Sequence, residues 1–414
     1  MIERYPTPRV LLLAHRFPYP PDKGDRIRTF NLIQWIARRA DVHLVCLADE
    51  PYKPEALKKL QAICKRVQVI PRYRNLSYVC MAASLGIGRS ASAGAFYSRL
   101  VKKTVSTWSR EAKFDSVVAT SSAMAYYLRS PELEASRRVI DLVDVDSQKW
   151  LDYAEHNRGL LRSLYQLEGM RLRRLECQLI DWVKHVILVS DSETRLYRNL
   201  SGCHHATTVT NGVDLDQFQS QVQVPPVESS CVFIGALDYY PNIQAALWFC
   251  REVWPEIRRQ RSGATIALVG RHPTREIARL SSIPGVQVVG EVEDVRPYLT
   301  GAAIVVVPLK VARGVQNKVL EAMAMGKAIV ASPQSLNGLD AHSQPPIWKA
   351  VSASDWSDAV LQLLADPLAR NRLGIQGRAY VESHHRWDRC LEPLGPILNL
   401  PSSTRCSGDK QSSE

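Results

Sequence analysis

Residues 304–331, IVVVPLKVARGVQNKVLEAMAMGKAIVA, decide the fold. An apolar strand that ends at Val307 is followed by a loop, by a helix that begins near Gln316, and by a second apolar strand over 328–331. Gly326 ends the helix just before that second strand. Short, wholly apolar strands separated by helices are typical of parallel sheets that are covered on both faces. This stretch therefore predicts an α/β fold.

The same alternation of strands and helices runs along the rest of the chain. A length of 414 residues suits two domains of roughly 200 residues each. We therefore predict an α/β protein with two doubly wound, Rossmann-like domains. A helix is predicted over 29–40, from its apolar spacing. The predicted strands span 10–13, 42–47, 67–70, 116–119, 139–142 and 186–189 in the first half, and 231–234, 265–269, 286–289, 304–307 and 328–331 in the second.

A polar stretch marks the change of domain. Residues 214–230 read DLDQFQSQVQVPPVESS, with two adjacent prolines, which is typical of a linker. We place the boundary slightly earlier, so that the first domain spans 1–203, because a predicted strand over 207–210 leads into the linker. Residues 401–414 contain almost nothing apolar and are predicted to form a disordered tail.

The net charge of the chain indicates which kinds of partner it could bind. The chain has 53 Lys and Arg against 41 Asp and Glu, a formal charge of +12. Such a balance favours an anionic partner, which could be nucleic acid, an anionic membrane face or a phosphorylated substrate. The basic residues form no run interleaved with aromatic residues, and the sequence has no helix-turn-helix pattern. We therefore expect no nucleic-acid partner.

Cysteine usage and hydropathy predict the compartment. The nine cysteines are scattered, with no CxxC pair and no Cys/His spacing of a zinc site. No run approaches the ~20 apolar residues of a membrane-spanning helix, and the apolar run over 10–14 is too short for a signal-peptide core. We expect a cytoplasmic protein with free thiols and no bound metal.

The loop after the first strand is one candidate binding element. Residues 15–28 read HRFPYPPDKGDRIR, and Gly24 precedes Asp25 at the predicted start of a helix. The glycine permits close approach of a phosphate or sugar to the backbone, and Asp25 can cap the helix. The same loop could also be an ordinary turn between strand and helix. It lacks the GxGxxG pattern of a dinucleotide site.

The loop and helix at 313–326 carry the strongest signal. Lys318 and Glu321 are three apart, so they share a face in the first turns of the helix. At a helix N-terminus, Lys318 and free amides could hold a diphosphate, and Glu321 could accept hydrogen bonds from two ribose hydroxyls. Without that context the pair would more often be a solvated salt bridge. The tetrapeptide NGVD at 211–214 reads locally as a tight turn.

Together these features resemble the family-4 retaining glycosyltransferases, whose GT-B fold has two facing Rossmann-like domains. The resemblance rests on the Gly24 loop, NGVD followed by Phe218, VFIGALDYYPN at 232–242, and NKVLEAMAMGKAIVAS at 317–332. It implies a nucleotide-sugar domain over 204–380 and a C-terminal helix at 381–400, containing Trp387, that crosses back to the first domain. PPDKGDRIRTFNLI, VIDLVDVDSQKWLDYA and RGVQNKVLEAMAMGKAIV more narrowly resemble exopolysaccharide sugar transferases of bacteria with exosortase (PEP-CTERM) systems.

The resemblance implies roles for individual residues. Glu321 would contact the donor ribose, the amides near Gln316 to Lys318 would hold the phosphates, and Gly24 would lie under the diphosphate. The implied donor-binding set is Gly24, Asp25, Gly235, Gly314, Val315, Gln316, Asn317, Lys318 and Glu321.

Three positions depart from the family pattern. The family often has a first glutamate eight positions before Glu321, where this chain has Arg313, which could meet a phosphate or an acidic sugar. The Arg and Lys usual after the first glycine of the second domain are missing after Gly235. In place of a histidine after the fifth strand stand Asp141, Asp144 and Asp146. Asp144 is the candidate for contacting the sugar or orienting the acceptor, although one of the three could simply cap the next helix. The catalytic candidates are Asp144, Arg313 and Lys318.

These inferences predict metal-independent sugar transfer with retention of configuration, from a nucleotide-diphosphate sugar to a saccharide or lipid-linked saccharide, with no separate cofactor. A non-catalytic nucleotide-binding scaffold and a nucleotide-sugar epimerase stay open as alternatives, whereas the missing glycine pattern argues against a nicotinamide oxidoreductase. Residues 75–88 carry no charge between basic clusters. They could rest on an anionic membrane at its inner face, or form a buried helix.

Overall fold

Contacts divide the protein into two units. The computed structural model describes residues 7–219, 227–339 and 344–401. The first unit takes the chain up to 189, then 193–209 and the residues from 391 onwards, and the second takes 190–192 and 210–390. Part of the predicted linker, at 220–226, lies outside the described residues, and so does the predicted disordered tail beyond Pro401.

Strands and helices alternate in the first unit, as the apolar runs predicted. Its elements are β1 (Arg9–Ala14), α1 (Gly24–Ala37), β2 (Asp41–Ala48), α2 (Pro54–Ile63), β3 (Arg66–Pro71), α3 (Arg74–Gly86), α4 (Ala91–Ala95), α5 (Arg99–Glu111), β4 (Ser116–Thr120), β5 (Arg137–Val143), α6 (Asp146–Glu155), α7 (Gly159–Trp182), β6 (His185–Leu188), α8 (Asp191–Ser201) and β7 (Ala206–Thr208), with short 3-10 helices at Ser122–Arg129 and Pro131–Leu133.

All seven strands of the first sheet are parallel, in the order β3-β2-β1-β4-β5-β6-β7. The central strands are apolar on both faces because helices cover both sides: all residues of β1 after Arg9 are buried. A buried ion pair ties the sheet to α1. Arg28 donates to Asp141 at 2.7 and 3.0 Å, both side chains are 1% exposed, and Arg28 also donates to the carbonyl of Val209 at 2.8 Å.

The second unit repeats the alternation around a smaller sheet. Its elements are β8 (Val227–Ile234), α9 (Tyr240–Trp248), α10 (Trp254–Gln260), β9 (Thr265–Val269), α11 (Arg275–Ala278), β10 (Val286–Gly290), α12 (Arg296–Gly301), β11 (Ala302–Val307), α13 (Asn317–Ala324), β12 (Ala328–Ala331), β13 (Trp348–Lys349), α14 (Ala353–Ala365), α15 (Pro367–His384) and α16 (Trp387–Leu391), with a π-helix at Phe249–Val253 and 3-10 helices at Arg279–Ser282 and Pro333–Leu336.

The second sheet is also parallel, in the order β10-β9-β8-β11-β12-β13. The opening stretch of the sequence argument forms β11, α13 and β12 at its centre. Gly326 follows α13 with φ +65°, in the left-handed region that favours glycine, and its amide donates to the carbonyl of Met323. The prediction of two doubly wound, Rossmann-like parallel sheets is confirmed.

The structure differs from the sequence predictions at the domain boundary and at the C-terminal helix. The strand predicted at 207–210 is β7, which pairs with β6 in the first sheet, so that sheet extends past the boundary placed after Cys203. The polarity of the following linker concealed this pairing, because β7 contributes only three residues. The single helix expected at 381–400 is wrong: the segment comprises the end of α15, then α16, then α17 (Leu394–Leu398). Helix α17 belongs to the first unit, where the Ser116 hydroxyl donates to the carbonyl of Leu398 at 2.9 Å.

Candidate functional site

In both units the candidate residues lie at the carboxyl edge of the sheet, where doubly wound folds bind their ligands. In the second unit they occupy the turn after β8 and the loop from β11 into α13. In the first unit they occupy the start of α1 and the turn after β5.

Gly235 and Lys318 come together in the second unit. A Cβ added to Gly235 would lie 2.7 Å from Lys318 Nζ and 2.8 Å from Asn242 Nδ2. The Lys318 ammonium donates to Asn242 Oδ1 at 2.7 Å, and the Asn242 amide donates to the carbonyl of Ala236 at 2.9 Å. The absence of a side chain at Gly235 thus makes room for an ammonium group at the end of β8.

Lys318 also contacts an aromatic ring. Its ammonium lies 4.9 Å from the centre of the Phe233 ring, within the range of a cation–π contact. Burial lowers the pKa of Lys318, and the charge of Glu321 opposes that shift. Burial likewise raises the pKa of Glu321, opposed by Lys318. Both residues are half-buried rather than fully enclosed, so an anionic ligand could reach the pair and favour the charged ammonium.

Gly235 is held by a close backbone contact with the next loop. Its amide donates to the carbonyl of Val269 at 3.0 Å, and a Cβ added to Gly270 would lie 1.8 Å from its carbonyl oxygen. The two loops can approach this closely only because Gly270 lacks a side chain. The contact holds the backbone of Gly235 in place next to Lys318.

The loop before α13 is shaped by a second pair of glycines. Gly314 is buried with φ +58°, and a Cβ added to Gly338 would lie 2.2 Å from its carbonyl oxygen. Arg313 is half-buried beside it, and its carbonyl accepts from Gln316 Nε2 at 3.0 Å. Val315 is half-buried against the core of this unit.

The N-terminus of α13 offers its first amides to the site. Gln316 is the N-cap residue, and no side chain caps the helix. Such an end carries free N–H groups and a partial positive charge, which suit phosphate oxygens. The Asn317 side chain accepts a hydrogen bond from Asn211 Nδ2 at 3.0 Å, and its backbone amide is the first of the helix.

That contact joins α13 to the NGVD turn and the C-terminal segment. Asn211 is buried, and its carbonyl lies 2.9 Å from His385 Nδ1. A Cβ added to Gly212 would lie 2.6 Å from the backbone nitrogen of Trp387. The turn therefore serves as a packing surface for the segment that begins α16.

In the first unit, Gly24 and Asp25 open α1. Asp25 is not the helix cap: Lys23 is the N-cap residue, and Asp25 lies inside the first turn. Its carboxylate instead meets Arg16 Nη1 at 2.9 Å and His15 Nε2 at 3.3 Å. Burial alone would raise the pKa of Asp25, but the His15 hydrogen bond and the charges of His15 and Arg16 hold it well below its usual range.

The other charged side chains of this loop are also engaged in ion pairs. Lys23 donates to Glu50 at 2.9 Å, and Arg26 donates to Glu50 at 2.7 Å and to Asp22 at 3.1 Å. The positive charges of Lys23 and Arg26 are therefore largely balanced by nearby carboxylates.

Asp144 follows a strained turn at the end of β5. Its amide donates to the carbonyl of Leu142 at 2.9 Å, the pattern of a γ-turn around Val143, which has φ +69°. A β-branched residue in that region is an outlier that persists only where its surroundings enforce it. Here the Glu193 carboxylate accepts from the amide of Val145 at 2.8 Å, and Val189 donates to the carbonyl of Val143 at 2.8 Å.

The neighbouring aspartates have structural roles. Asp141 forms the buried pair with Arg28, and Asp146 is the first residue of α6, where it accepts from the Ser122 hydroxyl at 2.6 Å. Asp144 is half-buried at the same sheet edge. Asp141 and Asp146 thus take part in contacts within the unit, and contact between Asp144 and a ligand stays a prediction.

Sequence reasoning missed two residues that position the site. Asn242 accepts from the Lys318 ammonium, and Glu193 accepts from the amide of Val145, the residue after Asp144. Only Asn242 left a signal, since it follows Pro241 at a helix start soon after Gly235. Across the described ranges no group of three or more His, Cys, Asp or Glu side chains is arranged to hold a metal ion, and no helix is long and apolar enough to cross a membrane.

The second unit matches a known family. Residues 228–366, about a third of the chain, match the family model described as "Glycosyl transferases group 1". The match includes β11, α13 and β12, which carried the sequence resemblance. A comparison with curated proteins gives no significant match.

Solved structures resemble the protein over nearly its full length. Sucrose-phosphate synthase from Thermosynechococcus elongatus superposes with a TM-score of 0.67 at 17% identity, covering 94% of this chain and 98% of that one. HepE of Anabaena, in complex with UDP, gives 0.66 at 13% identity, with 94% and 99% covered. WaaG, a glycosyltransferase involved in lipopolysaccharide biosynthesis, gives 0.63 at 14% identity, with 94% and 99% covered. At these identities the likeness shows the fold, which is that of GT-B glycosyltransferases.

Proposed function

We propose that this protein transfers a sugar from a nucleotide-diphosphate donor to a saccharide or lipid-linked saccharide acceptor. The observation that carries the proposal is the arrangement of Gly235, Lys318 and the uncapped start of α13 at one sheet edge. A cation beside bare backbone and a helix N-terminus is suited to a diphosphate. The family match over 228–366 supports this assignment.

Lys318 and the first amides of α13 would hold the diphosphate. As the bond between sugar and phosphate breaks, negative charge builds up on the leaving group, and a preorganised cation and helix dipole stabilise it. Glu321 lies about one turn further along the same helix face, where its carboxylate can accept from the ribose hydroxyls. No metal ion is needed for this charge compensation, so we propose metal-independent transfer.

Arg313 and Asp144 would act nearer the transferred sugar. Arg313 stands where the resembled family often has a glutamate, and a guanidinium there suits a phosphate or an acidic sugar. Asp144, on its braced turn, would contact the sugar or orient the acceptor hydroxyl. We propose retention of configuration, as in the family the sequence resembles, and a role in bacterial exopolysaccharide synthesis.

The first test is a thermal-shift screen with UDP, GDP, ADP and their sugars, with and without a chelator. UDP leads the panel because HepE was solved with UDP and with UDP-glucose. A nucleotide at one hundred times its dissociation constant should add roughly 2.7 kcal/mol to the free energy of unfolding. We expect one nucleotide to give a shift that the chelator does not change and that Glu321→Ala removes.

Transfer from a labelled donor then separates an enzyme from a scaffold. Lys318→Ala should lower the transfer rate far more than the melting temperature. A protein that binds a nucleotide but neither transfers nor hydrolyses its sugar would be a scaffold, and conversion of the donor without an acceptor would indicate an epimerase. No shift with any nucleotide would refute the donor site itself.

A further inference from the structure

Helix α3 in the first unit presents an unusual apolar surface. Tyr73, Leu76, Val79 and Ile87 are 57–67% exposed. Leu76 and Val79 lie three residues apart on one face of α3, and Tyr73 and Ile87 are its N-cap and C-cap residues. We call these four residues the apolar stripe. The buried residues of α3 are Ser77 and Ser84. The interpretation of 75–88 as a buried helix is therefore wrong, and the apolar side chains face outward.

This stripe lies within a strongly basic segment. Residues 72–113 contain eight Lys or Arg and a single acidic residue, Glu111. Arg74 is the one charged residue of α3 itself, and exposed basic side chains follow it at Arg89, Arg99, Lys102 and Lys103. An apolar strip bordered by cations is the composition of surfaces that bind anionic bilayers.

A cavity of about 300 Å³ adjoins the end of α3. Its lining includes three cationic side chains and, among the described residues, no acidic one. The Arg89 guanidinium lies 4.7 Å from the centre of the Tyr126 ring. Tyr97 is 46% exposed beside the cavity. Its cationic and aromatic lining residues are Arg89, Tyr97, Lys102, Tyr126, Tyr127 and Arg129.

The turn that links α3 to the cavity is rigidly held. The buried Glu168 carboxylate of α7 accepts from the Ser90 hydroxyl at 2.6 Å and from the amides of Ala91 and Ser92 at 2.8 Å each. Gly94 of α4 packs so closely on α3 that an added Cβ would lie 2.7 Å from the carbonyl oxygen of Cys80. The apolar stripe and the cavity are therefore parts of one fixed surface.

We infer that this surface docks the protein on an anionic lipid bilayer. The apolar side chains of α3 enter the boundary between headgroups and acyl chains, and the cavity receives a lipid phosphate. Tyrosines at both ends of the surface suit the headgroup level, where an aromatic ring is half in an apolar medium. A nucleic acid would use the cations but leave the apolar stripe exposed. The inference goes beyond sugar transfer and does not depend on it.

The test is co-sedimentation of the full-length protein with vesicles, without nucleotide. Vesicles of phosphatidylcholine alone are compared with vesicles that also contain phosphatidylglycerol, at low and high salt. We expect binding that requires phosphatidylglycerol and weakens with salt, because screening reduces the electrostatic attraction.

Two variants test the two parts of the surface. The double variant Leu76→Ser/Val79→Ser removes apolar contact, and Lys102→Glu reverses a charge at the cavity; each should weaken binding about tenfold or more. All three positions are exposed, so melting temperatures should stay unchanged. The matched controls are Leu368→Ser and Arg372→Glu, at exposed positions on α15 of the second unit. They should bind vesicles as the unaltered protein does.

Binding that ignores phosphatidylglycerol, or that survives in both variants, would overturn the inference. So would a dimer in solution that Leu76→Ser/Val79→Ser dissociates while vesicles bind neither form, since the stripe would then be covered by a second copy. Loss of the nucleotide shift with intact vesicle binding would instead count against the donor site alone.

Discussion

Three glycine-to-alanine substitutions separate ligand binding from folding in the second unit. In Gly235→Ala, the new Cβ would lie 2.7 Å from Lys318 Nζ and 2.8 Å from Asn242 Nδ2. Both atoms are at the ends of side chains and can move away. Overpacking typically costs 1–3 kcal/mol, and we expect the low end, about 1 kcal/mol, or a fall in melting temperature of roughly 2–4 °C.

The same substitution should nearly abolish nucleotide binding, because the ammonium must retreat from the place where a phosphate would meet it. Gly270→Ala provides the contrast. Its Cβ would lie 1.8 Å from the carbonyl oxygen of Gly235, a backbone atom that cannot turn aside. We expect a loss of more than about 3 kcal/mol, or failure to accumulate folded protein.

Gly263→Ala is the matched control, since nothing lies within 4 Å of the new Cβ. It should be neutral or stabilise by up to about 1 kcal/mol. The measurement is the melting temperature with and without the nucleotide that shifts the unaltered protein. A full nucleotide shift in Gly235→Ala would refute our interpretation of Lys318 as the phosphate ligand. A melting temperature as low as that of Gly270→Ala would refute the expectation that the side chains around Gly235 can move away.

Three further predictions concern the first unit. Arg28→Met leaves Asp141 buried without its partner and should cost about 3–5 kcal/mol in urea unfolding; a loss below about 1 kcal/mol would contradict this. Burial raises the pKa of Glu176 to about 8 despite its hydrogen bonds to Ser147. The folded protein therefore retains a proton that the unfolded chain loses. Relative to Glu176→Gln, its free energy of unfolding should fall by about 4 kcal/mol as the pH rises from about 5 to 8. If the two proteins lose stability in parallel over this range, the raised pKa is excluded. Asp144→Asn should lower sugar transfer by tenfold or more with less than about 1 kcal/mol of destabilisation, and an equal loss of stability would make the residue structural.

The alternation of strands and helices along the chain could be predicted because it depends on local patterns. Apolar runs such as 304–307 and 328–331 have the length of buried strands, and their separation by one short helix leaves a parallel crossover as the simplest arrangement. Gly326 could likewise be predicted to end α13 from the residues on either side of it. For the same reason Lys318 and Glu321 could be placed on one helix face from their spacing alone.

Contacts between distant segments could not be predicted in this way. Lys318 and Asn242 are 76 residues apart, and they meet because β8 and β11 are neighbours in the sheet. Arg28 and Asp141 are 113 residues apart, and their spacing along the chain gave no indication that the fold buries them together. The three-residue strand β7 was assigned to the wrong domain because its partner β6 is separated from it by a helix.

The carboxyl edges of the two sheets carry different charged groups, and this difference affects which substrate each unit would bind. The second unit offers Lys318 and a helix N-terminus, a combination that favours a dianionic diphosphate. In the first unit, His15 and Arg16 hold the pKa of Asp25 well below its usual range, and the nearby cations are paired with carboxylates. A diphosphate would gain little charge compensation from that loop, whatever the freedom of Gly24. A carboxylate such as Asp144, fixed on a strained turn, can instead accept a hydrogen bond from a sugar hydroxyl. We therefore expect the second unit to dominate donor affinity and the first to select the acceptor.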